Sequence, residues 1–384
     1  MNNIVIRIPE PKWESDLTNL IIDLEKLKIR RIEGEIPEYI FLQLKEIFHK
    51  LETLGSARIE GNNTTLSEYI EKIIENKFVE EEKEILNIEE AIDFIEEHIE
   101  HYSIDRMFLS QIHKIVTKDL SPPPKGEGSQ YPGELRKHNV IIQKAKHRPP
   151  DVSMLNDYFE EFIRFINEDR KEQYQLLMIA IAHHRFAYIH PYDNANGRVG
   201  RLLNYALLIK FGFQVRDKRI LNPSSVFYSD RDRYYEMLSC ADSLLDDDLL
   251  TWCEYFLKGL KNEIEKIDIL LKREFVVGKI LLPSIKYALE RKLITPEEKR
   301  VLHLMIDSPE MSIKSQDLSK IGIDGSVKKS RFMEKLKERK IIKPIKEGGR
   351  IYTINFTNNY LLRSVIKSLE KEGFISDFLE RRDS

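Results

Sequence analysis

The sequence predicts a mainly α-helical protein with a winged helix-turn-helix unit near its end, and three observations support this fold class. Most segments place apolar side chains at the three- and four-residue spacing of an amphipathic helix. Glycine and proline concentrate in one irregular stretch, residues 125–151, where a short apolar run favours a β-hairpin. Near the end, three helical segments precede two β-like segments around Gly348-Gly349.

The first part of the chain is predicted to be helical. Residues 38–54 have apolar side chains at helical spacing and stop before Gly55, a residue type that commonly ends a helix. Amphipathic segments with acidic faces continue through residues 66–100. Another helix, over residues 104–120, stops at the run of prolines in residues 121–124, because proline lacks the backbone donor that a helix interior needs.

The central part is also predicted to be helical, apart from the apolar run at residues 139–142, which predicts a strand of a hairpin. Helices resume over residues 152–169. Residues 172–190 are apolar almost all round, so this segment is predicted to be the central buried helix. A further apolar helix covers residues 199–211, and two more lie within residues 230–260.

A long helix over residues 262–293 is predicted to connect these helices to the last unit. The predicted elements of that unit are helices at residues 296–307, 313–321 and 327–340 and a strand pair within residues 343–357. Their order is that of a winged helix-turn-helix. Residues 291–384 hold 21 lysine and arginine residues against 14 aspartate and glutamate residues, a net charge of +7, whereas the rest of the chain has −10. A basic surface is more often solvated than bound to DNA, and winged helices also serve as protein-interaction or dimerisation modules.

Composition indicates an ordered, helix-rich protein. Hydrophobic residues make up 41% of the chain and charged residues 33%, which excludes disordered and fibrous classes. We expect a cytoplasmic protein without a membrane segment, because the longest strongly apolar run, residues 176–182, is far shorter than the roughly 18 residues of a membrane span. The two cysteines, Cys240 and Cys253, lack CxxC spacing and are predicted to be core thiols.

The chemistry is concentrated in residues 190–201, which read His-Pro-Tyr-Asp-Asn-Ala-Asn-Gly-Arg-Val-Gly-Arg. A buried helix brings His190 into a loop of small residues, and that loop opens the next helix with Arg198 and Arg201 one turn apart. Backbone N–H groups and the positive dipole end at the start of this helix attract phosphate, and Gly197 allows close approach. Paired arginines hold phosphate oxygens, and a histidine suits proton transfer near neutral pH. The pattern predicts a phosphate site beside a general base.

This stretch resembles the signature of the Fic family, which has the pattern H-P-F-x-[D/E]-G-N-G-[R/K]-x-x-R. Nine of the twelve positions match, and Tyr192 in place of phenylalanine is a mild change. Two positions differ, because Asn194 stands where the family has a carboxylate and Ala195 where it has glycine. In the family, that carboxylate binds the Mg²⁺ that bridges the ATP phosphates. An amide oxygen is a weaker ligand for this cation, so metal affinity is expected to be lower. Asp193 lies one residue earlier and is expected to point elsewhere.

The resemblance implies a role for several parts of the chain. His190 would be the general base that activates a hydroxyl of the target protein, and ATP would be the substrate. The flap, against which a target segment pairs by strand addition, would consist of Val140, Ile141, Ile142 and Gln143. Tyr234 and Tyr235 match the aromatic wall of the adenine site, and Asp242 is a weaker adenine contact. The full set implied to contact ATP or its phosphates is Asn194, Ala195, Asn196, Gly197, Arg198, Val199, Gly200, Arg201, Tyr234, Tyr235 and Asp242, with Asn194 as a weak candidate ligand for Mg²⁺.

A second resemblance lies upstream, where residues 56–61 read Ser-Ala-Arg-Ile-Glu-Gly and fit the family's inhibitory pattern [S/T]-x-x-x-E-[G/N]. It implies that Ser56 and Glu60 belong to an inhibitory element. Glu60 would pair with Arg201, occupy the place of the ATP γ-phosphate and misalign the nucleotide. The same carboxylate could position a water molecule for the reverse reaction, the removal of AMP.

We therefore expect a helical N-terminal region with the inhibitory element (1–100), a Fic catalytic core (101–262), a connecting helix (263–290) and a winged-helix domain (291–384). The implied function is transfer of AMP from ATP, with Mg²⁺, to a Ser, Thr or Tyr hydroxyl of a target protein. Self-modification, a homodimer and DNA binding by the winged helix are further partner expectations. Two alternatives stay open. One is de-AMPylation or transfer of another phosphate-containing group, suggested by Asn194. The other is a non-enzymatic, nucleotide-sensing regulator that binds DNA.

Overall fold

In the computed structural model, residues 4–29, 36–78, 82–142, 145–213 and 222–381 are described. Helices dominate this part of the chain, and its strands form one small antiparallel sheet. The mainly α-helical fold class is confirmed. The helices before residue 269 are α1 Asp16–Ile29, α2 Glu38–Ile59, α3 Leu66–Glu75, α4 Lys83–His98, α5 Arg106–Val116, α6 Leu155–Asn167, α7 Gln175–Ile189, α8 Asn196–Lys210, α9 Ser225–Tyr228, α10 Arg231–Ala241 and α11 Asp246–Asp268.

Helices α7 and α8 form the centre of the core and pack against each other. Helix α7 is buried from Leu176 to Phe186, as its almost uniformly apolar sequence predicts. Gly200 allows the close approach of α8, since a Cβ there would lie 3.3 Å from Cδ1 of Phe186. Helices α2, α4 and α5 pack on the other faces of α8. The loop between α7 and α8, which carries the motif, is therefore held between two buried helices.

Helix α2 continues past its predicted stop at Gly55 and ends at Ile59. Gly55 allows close packing of α2 against its neighbour and does not end the helix. A Cβ at this position would lie 2.3 Å from the ring of Tyr228, so only glycine lets α2 approach α9 this closely. The extension carries Ser56 to the end of the helix and places Glu60 at its C-terminal cap.

The predicted strand of the flap is wrong for the described residues around it, because 137–142 and 145–150 contain no strand. Gln143 lies outside the described residues. The N–H group of Ala145 donates to Ile142 O at 3.3 Å. The two arms of this loop are joined through the side chain of Arg136 rather than through a ladder of backbone hydrogen bonds.

The predicted connecting helix over residues 262–293 is interrupted. Helix α11 ends at Asp268, a 3-10 turn follows, and Lys272 adopts an extended backbone with ψ 118°. Pro283 lies near the start of the last helical piece, and the π-helical stretch before it accommodates the missing backbone donor. The second helical stretch consists of α12 Arg273–Phe275, the π-helix Val276–Leu281 and α13 Leu282–Glu290.

The last unit combines helices with the small sheet. Its elements are α14 Pro296–Asp307, β1 Ser312–Lys314, a 3-10 helix Ser315–Ile321, α15 Ser326–Glu338, β2 Ile342–Pro344, β3 Ile351–Ile354, α16 Leu361–Lys371 and a 3-10 helix Asp377–Leu379. The strand order is β1-β3-β2, and Ile313 pairs with Tyr352 while Lys343 pairs with Thr353. The middle one of the three predicted helices is therefore a strand followed by a 3-10 helix. Assignment of this unit as a winged helix stays a prediction.

Two further sequence predictions concern the cysteines and a membrane-spanning helix. Cys253 is buried, Cys240 is partly buried, and both are free thiols. Within the described ranges, no helix has the length and apolar character needed to cross a membrane.

Candidate active site

His190 lies where the buried helix α7 ends. Its backbone has φ 51° and ψ 61°, a left-handed conformation that reverses the chain, and its N–H group donates to Phe186 O at 3.0 Å. Pro191 follows and cannot continue the helix. The predicted catalytic histidine therefore lies in a sharp turn directly before the loop that opens α8.

The surroundings of His190 keep its imidazole neutral. Burial lowers the pKa of His190 to about 4, although a hydrogen bond with the backbone of Ala187 and the negative charge of Glu60 act in the opposite direction. The residue as a whole is partly exposed to solvent. A neutral imidazole at pH 7 can accept a proton, which is the property that a general base needs.

Arg136 is a functional candidate that sequence analysis did not identify. Its Nε donates to His190 O at 3.0 Å, and its two terminal nitrogens donate to His138 O at 2.9 Å and Pro150 O at 2.5 Å. One buried side chain thus joins the turn at His190 to both arms of the predicted flap loop. Of the predicted flap residues, Ile141 is 70% exposed and available to a peptide. A single arginine in an irregular segment has no spacing pattern that could have indicated this role.

The predicted anion site lies at the start of α8. Ala195 precedes the helix with φ 60°, a left-handed conformation that costs a residue with a Cβ about 1–2 kcal/mol, which gives a reason for glycine in the Fic pattern. Asn196 braces the loop with its side chain, which accepts from the N–H group of Tyr192 and donates to Tyr192 O, both at 2.9 Å. The amide of Asn196 is therefore occupied, and the backbone N–H groups of the first helical turn are the donors that face an anion.

The carboxylate of Glu60 covers Gly197 at this helix start. A Cβ on residue 197 would lie 2.0 Å from Glu60 Oε1, so only glycine leaves room for the carboxylate. The same oxygen lies 2.8 Å from Nη2 of Arg201. Ser56 holds the guanidinium from the other side, with Nε donating to its Oγ at 2.8 Å and Nη2 to its carbonyl oxygen at 2.9 Å. An internal carboxylate therefore occupies the site that the helix dipole favours for an anion.

Glu60 and Arg201 keep each other charged. Burial raises the pKa of Glu60, but the charges of Arg201 and Arg198 outweigh it, so the pKa lies below its usual value. Burial lowers the pKa of Arg201, and Glu60 more than reverses this effect. Arg201 is almost completely buried, so the contact is a charge-assisted pair shielded from solvent on one side.

Two carboxylates that sequence analysis missed hold Arg198, the other arginine of the motif. Its Nη1 lies 3.0 Å from Glu84 Oε1. Its Nη2 lies 3.4 Å from Glu127 Oε2 and donates to the carbonyl oxygen of Glu127 at 2.7 Å. Glu84 is buried, and it accepts from Nδ2 of Asn62, close after the inhibitory segment, at 3.0 Å. Burial raises the pKa of Glu84, against the opposing charge of Arg198.

The position that departs from the Fic pattern, Asn194, lies beside one of these carboxylates. Its Nδ2 donates to Gly128 O at 2.9 Å and lies 3.5 Å from Glu127 Oε2. Asp193 contacts the next residues of the same loop, and its Oδ2 accepts from the N–H group of Gln130 at 2.8 Å. The loop at residues 127–130 is thereby tied to the motif loop, and it brings a negative charge next to the asparagine.

The two tyrosines of the predicted adenine wall occupy different positions. Tyr234 is buried, and its hydroxyl forms a hydrogen bond with Nε2 of His183 at 2.9 Å, while Asn204 Nδ2 contacts the other ring nitrogen at 2.8 Å. Tyr235 is 44% exposed, and its hydroxyl lies 3.5 Å from Ile59 O, next to the inhibitory segment. Of the pair, Tyr235 is the one whose ring a nucleotide base can reach.

Three other predicted ATP contacts lie in the core or at its edge. Val199 is fully buried, and Gly200 faces helix α7. Asp242 forms a hydrogen bond with Nε2 of the buried His184 at 3.0 Å. These residues fix the relative positions of α7, α8 and α10, and a direct contact of Asp242 with adenine stays a prediction.

Comparison with known proteins agrees with this geometry. Residues 103–208 match the model of the Fic/DOC family. Similar curated proteins include Protein adenylyltransferase Fic of Drosophila ananassae, 27% identical over 201 residues that are 50% of this chain and 36% of that protein. The protein of the same name from Nematostella vectensis is 28% identical over 200 residues, 49% of this chain and 42% of that protein. The matched part thus spans less than half the length of these relatives.

Two solved structures share the fold. A Fic family protein from Desulfovibrio desulfuricans matches with a TM-score of 0.54 at 17% identity, over 91% of this chain and 98% of that chain. A Fic domain-containing signalling protein from Bacteroides thetaiotaomicron matches with a TM-score of 0.52 at 14% identity, over 67% of this chain and 98% of that chain. The family match of residues 103–208, the named relatives and the shared fold all include the helices that build the motif, and together they support a Fic domain in this chain.

Proposed function

We propose that this protein transfers AMP from ATP to a hydroxyl side chain of a target protein and that Glu60 inhibits the transfer. The observation that carries the proposal is the position of His190 directly before an anion site that contains Arg198 and Arg201. A neutral base beside a polyphosphate site is the arrangement that nucleotidyl transfer needs. The names of the relatives, which are protein adenylyltransferases, support this class of reaction.

In the proposed reaction, the imidazole of His190 accepts the proton of the target hydroxyl. The hydroxyl oxygen forms a bond to the α-phosphorus of ATP while the bond from that phosphorus to the bridging oxygen of pyrophosphate breaks. Pyrophosphate leaves with the electron pair, and His190 passes its proton to solvent. Arg198, Arg201 and the N–H groups at the start of α8 stabilise the charge of the phosphates during this displacement.

The remaining candidates position the two substrates. Arg136 holds the catalytic turn against the flap loop, so the exposed Ile141 and the imidazole of His190 lie on connected segments. A target segment bound at this loop would present its hydroxyl to His190. The ring of Tyr235 supplies an apolar face for adenine beside the inhibitory segment.

Asn194 and Glu127 hold the oxygen donors nearest to the place where the family implies Mg²⁺. The amide nitrogen of Asn194 faces the carboxylate of Glu127 at 3.5 Å, so the amide would have to turn for its oxygen, a hard donor, to face the ion. In the described residues no group of three or more histidine, cysteine, aspartate or glutamate side chains could hold a metal. Mg²⁺ commonly keeps water ligands and shares phosphates, so Asn194 and Glu127 would supply the protein's part. The bound ion would neutralise charge on the phosphates.

Restoring the carboxylate with Asn194→Asp is expected to tighten metal binding roughly tenfold, because an anionic oxygen replaces a neutral one. Glu127→Gln is expected to weaken it. The measurement is Mn²⁺ titration by electron paramagnetic resonance in the presence of ADP, which reads metal affinity without turnover. The matched control is Glu134→Gln, which removes a carboxylate of the same loop that pairs with Lys137 at 2.9 Å. Equal Mn²⁺ affinities in all variants would contradict the assignment.

The transfer itself is tested with α-labelled and γ-labelled ATP, Mg²⁺ and the purified protein, with and without a mixture of candidate protein targets. Covalent label from the α position alone is the expected result, and label on the protein itself would report self-modification. Label from the γ position would show a kinase instead. Absence of any label with both the unaltered protein and Glu60→Gly, despite measurable ATP binding, would contradict the proposal, since the variant lacks the inhibitory carboxylate.

Removal of AMP is a second candidate activity, favoured by the position of Glu60. The carboxylate is ionised, and its charge acts on the imidazole of His190. A carboxylate beside a histidine can orient a water molecule for attack on a phosphodiester. Loss of label from a modified target with the unaltered protein, and its retention with Glu60→Gly, would identify this activity.

A further inference from the structure

Residues from the last part of the chain contact the helix that carries the inhibitory segment. Arg58, two positions before Glu60, is buried and donates from Nη1 to Thr64 O at 2.8 Å and from Nη2 to Arg381 O. Its guanidinium also lies over the ring of Phe378, 5.1 Å from the centroid. The final turn of α2 is therefore anchored to residues far away in the sequence.

Residues 376–381 form a short turn that fits against the end of α2. Phe378 stacks with Tyr228 at a centroid distance of 6.1 Å and an interplanar angle of 12°. Leu379 is fully buried, and Glu380 accepts from Ser67 Oγ at 3.0 Å. The segment thus contacts α2, α3 and α9 at the same corner, through both apolar and polar groups.

A second contact joins α2 to the last unit at its other end. Gln43 is fully buried, its Nε2 donates to Ile354 O at 3.0 Å, and its Oε1 accepts from the N–H group of Phe356 at 2.9 Å. Breaking one of these buried bonds would leave a polar group without a partner, which is costly. The contacts of Gln43 therefore fix the first half of α2 against the last unit. Displacement of residues 376–381 would then affect only the C-terminal end of α2, where Glu60 lies.

The orientation of Glu60 depends on the turn that Arg58 anchors. The N–H group of Glu60 donates to Ala57 O, and that of Gly61 donates to Arg58 O, both at 3.1 Å. Glu60 is the C-terminal cap of α2, and the ends of helices open locally unless side chains hold them. Phe378 and Arg381 hold Arg58, and through it the turn that directs the carboxylate to Arg201.

We propose that residues 376–381 form a clasp that sets the strength of inhibition by Glu60. With the clasp in place, α2 ends in an ordered turn and the carboxylate covers the phosphate site. When the clasp is displaced, the turn opens and ATP can displace Glu60. The inference rests on the proposed function, because it concerns regulation of the same nucleotide site. Coupling is reciprocal, so ATP binding weakens the contact of the clasp.

The test measures binding of a fluorescent, non-hydrolysable ATP analogue to the full chain, to a deletion of residues 377–384 and to Phe378→Ala. Both changes are expected to tighten binding about two- to thirtyfold, the range by which mutations between coupled sites usually change the coupling. In a Glu60→Gly background, neither change should tighten binding of the analogue further. The matched control is Tyr360→Ala, which removes another arginine–aromatic contact of the last unit, with Arg363 at 5.2 Å, and should leave affinity unchanged.

Hydrogen exchange of amides 57–62 gives a second readout, and it should speed up in the clasp variants but not in Tyr360→Ala. Folded clasp variants with unchanged affinity and exchange, alongside a tighter-binding Glu60→Gly, would overturn the clasp alone. If the deletion prevents folding, Phe378→Ala decides the question. A Glu60→Gly variant that binds the analogue no more tightly than the unaltered protein would overturn inhibition by Glu60 and the clasp together.

Discussion

Replacing His190 with alanine is expected to lower the rate of AMP transfer about 10²- to 10⁴-fold, the usual contribution of a general base. The imidazole lies at the turn before the anion site and is neutral at pH 7, so it can accept the proton of the target hydroxyl. Binding of ATP should persist, because Arg201 and the start of α8 are unchanged. The measurement compares transfer of α-label with binding of the ATP analogue.

His147→Ala is the matched control, since this histidine contacts Tyr188 O at 2.8 Å near the site but lies outside the motif. It should retain most of the transfer. The pH profile gives an independent check. Because burial lowers the pKa of His190 to about 4, transfer should stay constant from pH 8 to about 5 and fall as the pH drops through 4. Full transfer by a folded His190→Ala variant would contradict the assignment. An acidic limb centred at the ordinary pKa of histidine would contradict the lowered pKa of His190 but not its role as the base.

Those parts of the candidate site that depend on neighbouring residues in the sequence could be predicted. The motif at residues 190–201 combines a helix end, a loop of small residues and a helix start, and each of these depends on neighbouring positions in the sequence. The structure places Glu60 against Arg201 and Gly197, as the inhibitory pattern implies. Position 195 also follows local rules, because its positive φ is the conformation that glycine adopts without strain.

The partners of the motif could not be predicted, because they are set by packing between distant segments. Glu84 and Glu127 reach Arg198 from two other parts of the chain, and no spacing connects them. Arg136 joins the flap loop to the catalytic turn in the same way. At Gly55 a local signal led to a wrong prediction. The sequence context predicts a helix end there, but the glycine allows close packing against Tyr228 inside the helix.

Replacing Glu60 with glycine is expected to raise ATP affinity and AMP transfer by roughly 10- to 100-fold, which corresponds to the loss of one charge-assisted hydrogen bond of about 1.5–3 kcal/mol that ATP must otherwise displace. The carboxylate lies 2.8 Å from Arg201 and covers the N-terminus of α8 at Gly197, so it competes directly with a phosphate group. The fold should tolerate the change, because Glu60 caps a helix, where glycine is common.

Two variants separate the effect of the charge from other effects of the substitution. Glu60→Gln keeps the size of the side chain but removes its charge, and it should raise transfer less than Glu60→Gly because the amide still fills the space above Gly197. Glu60→Gly combined with Arg201→Ala should lose the gain in ATP affinity and transfer. The carboxylate of Glu60 and the phosphate of ATP compete for the guanidinium of Arg201, and the double variant lacks that group. If Glu60→Gly leaves both affinity and transfer unchanged while Arg201→Ala abolishes ATP binding, the arginine holds phosphate without competition, and Glu60 has a structural role at the end of α2.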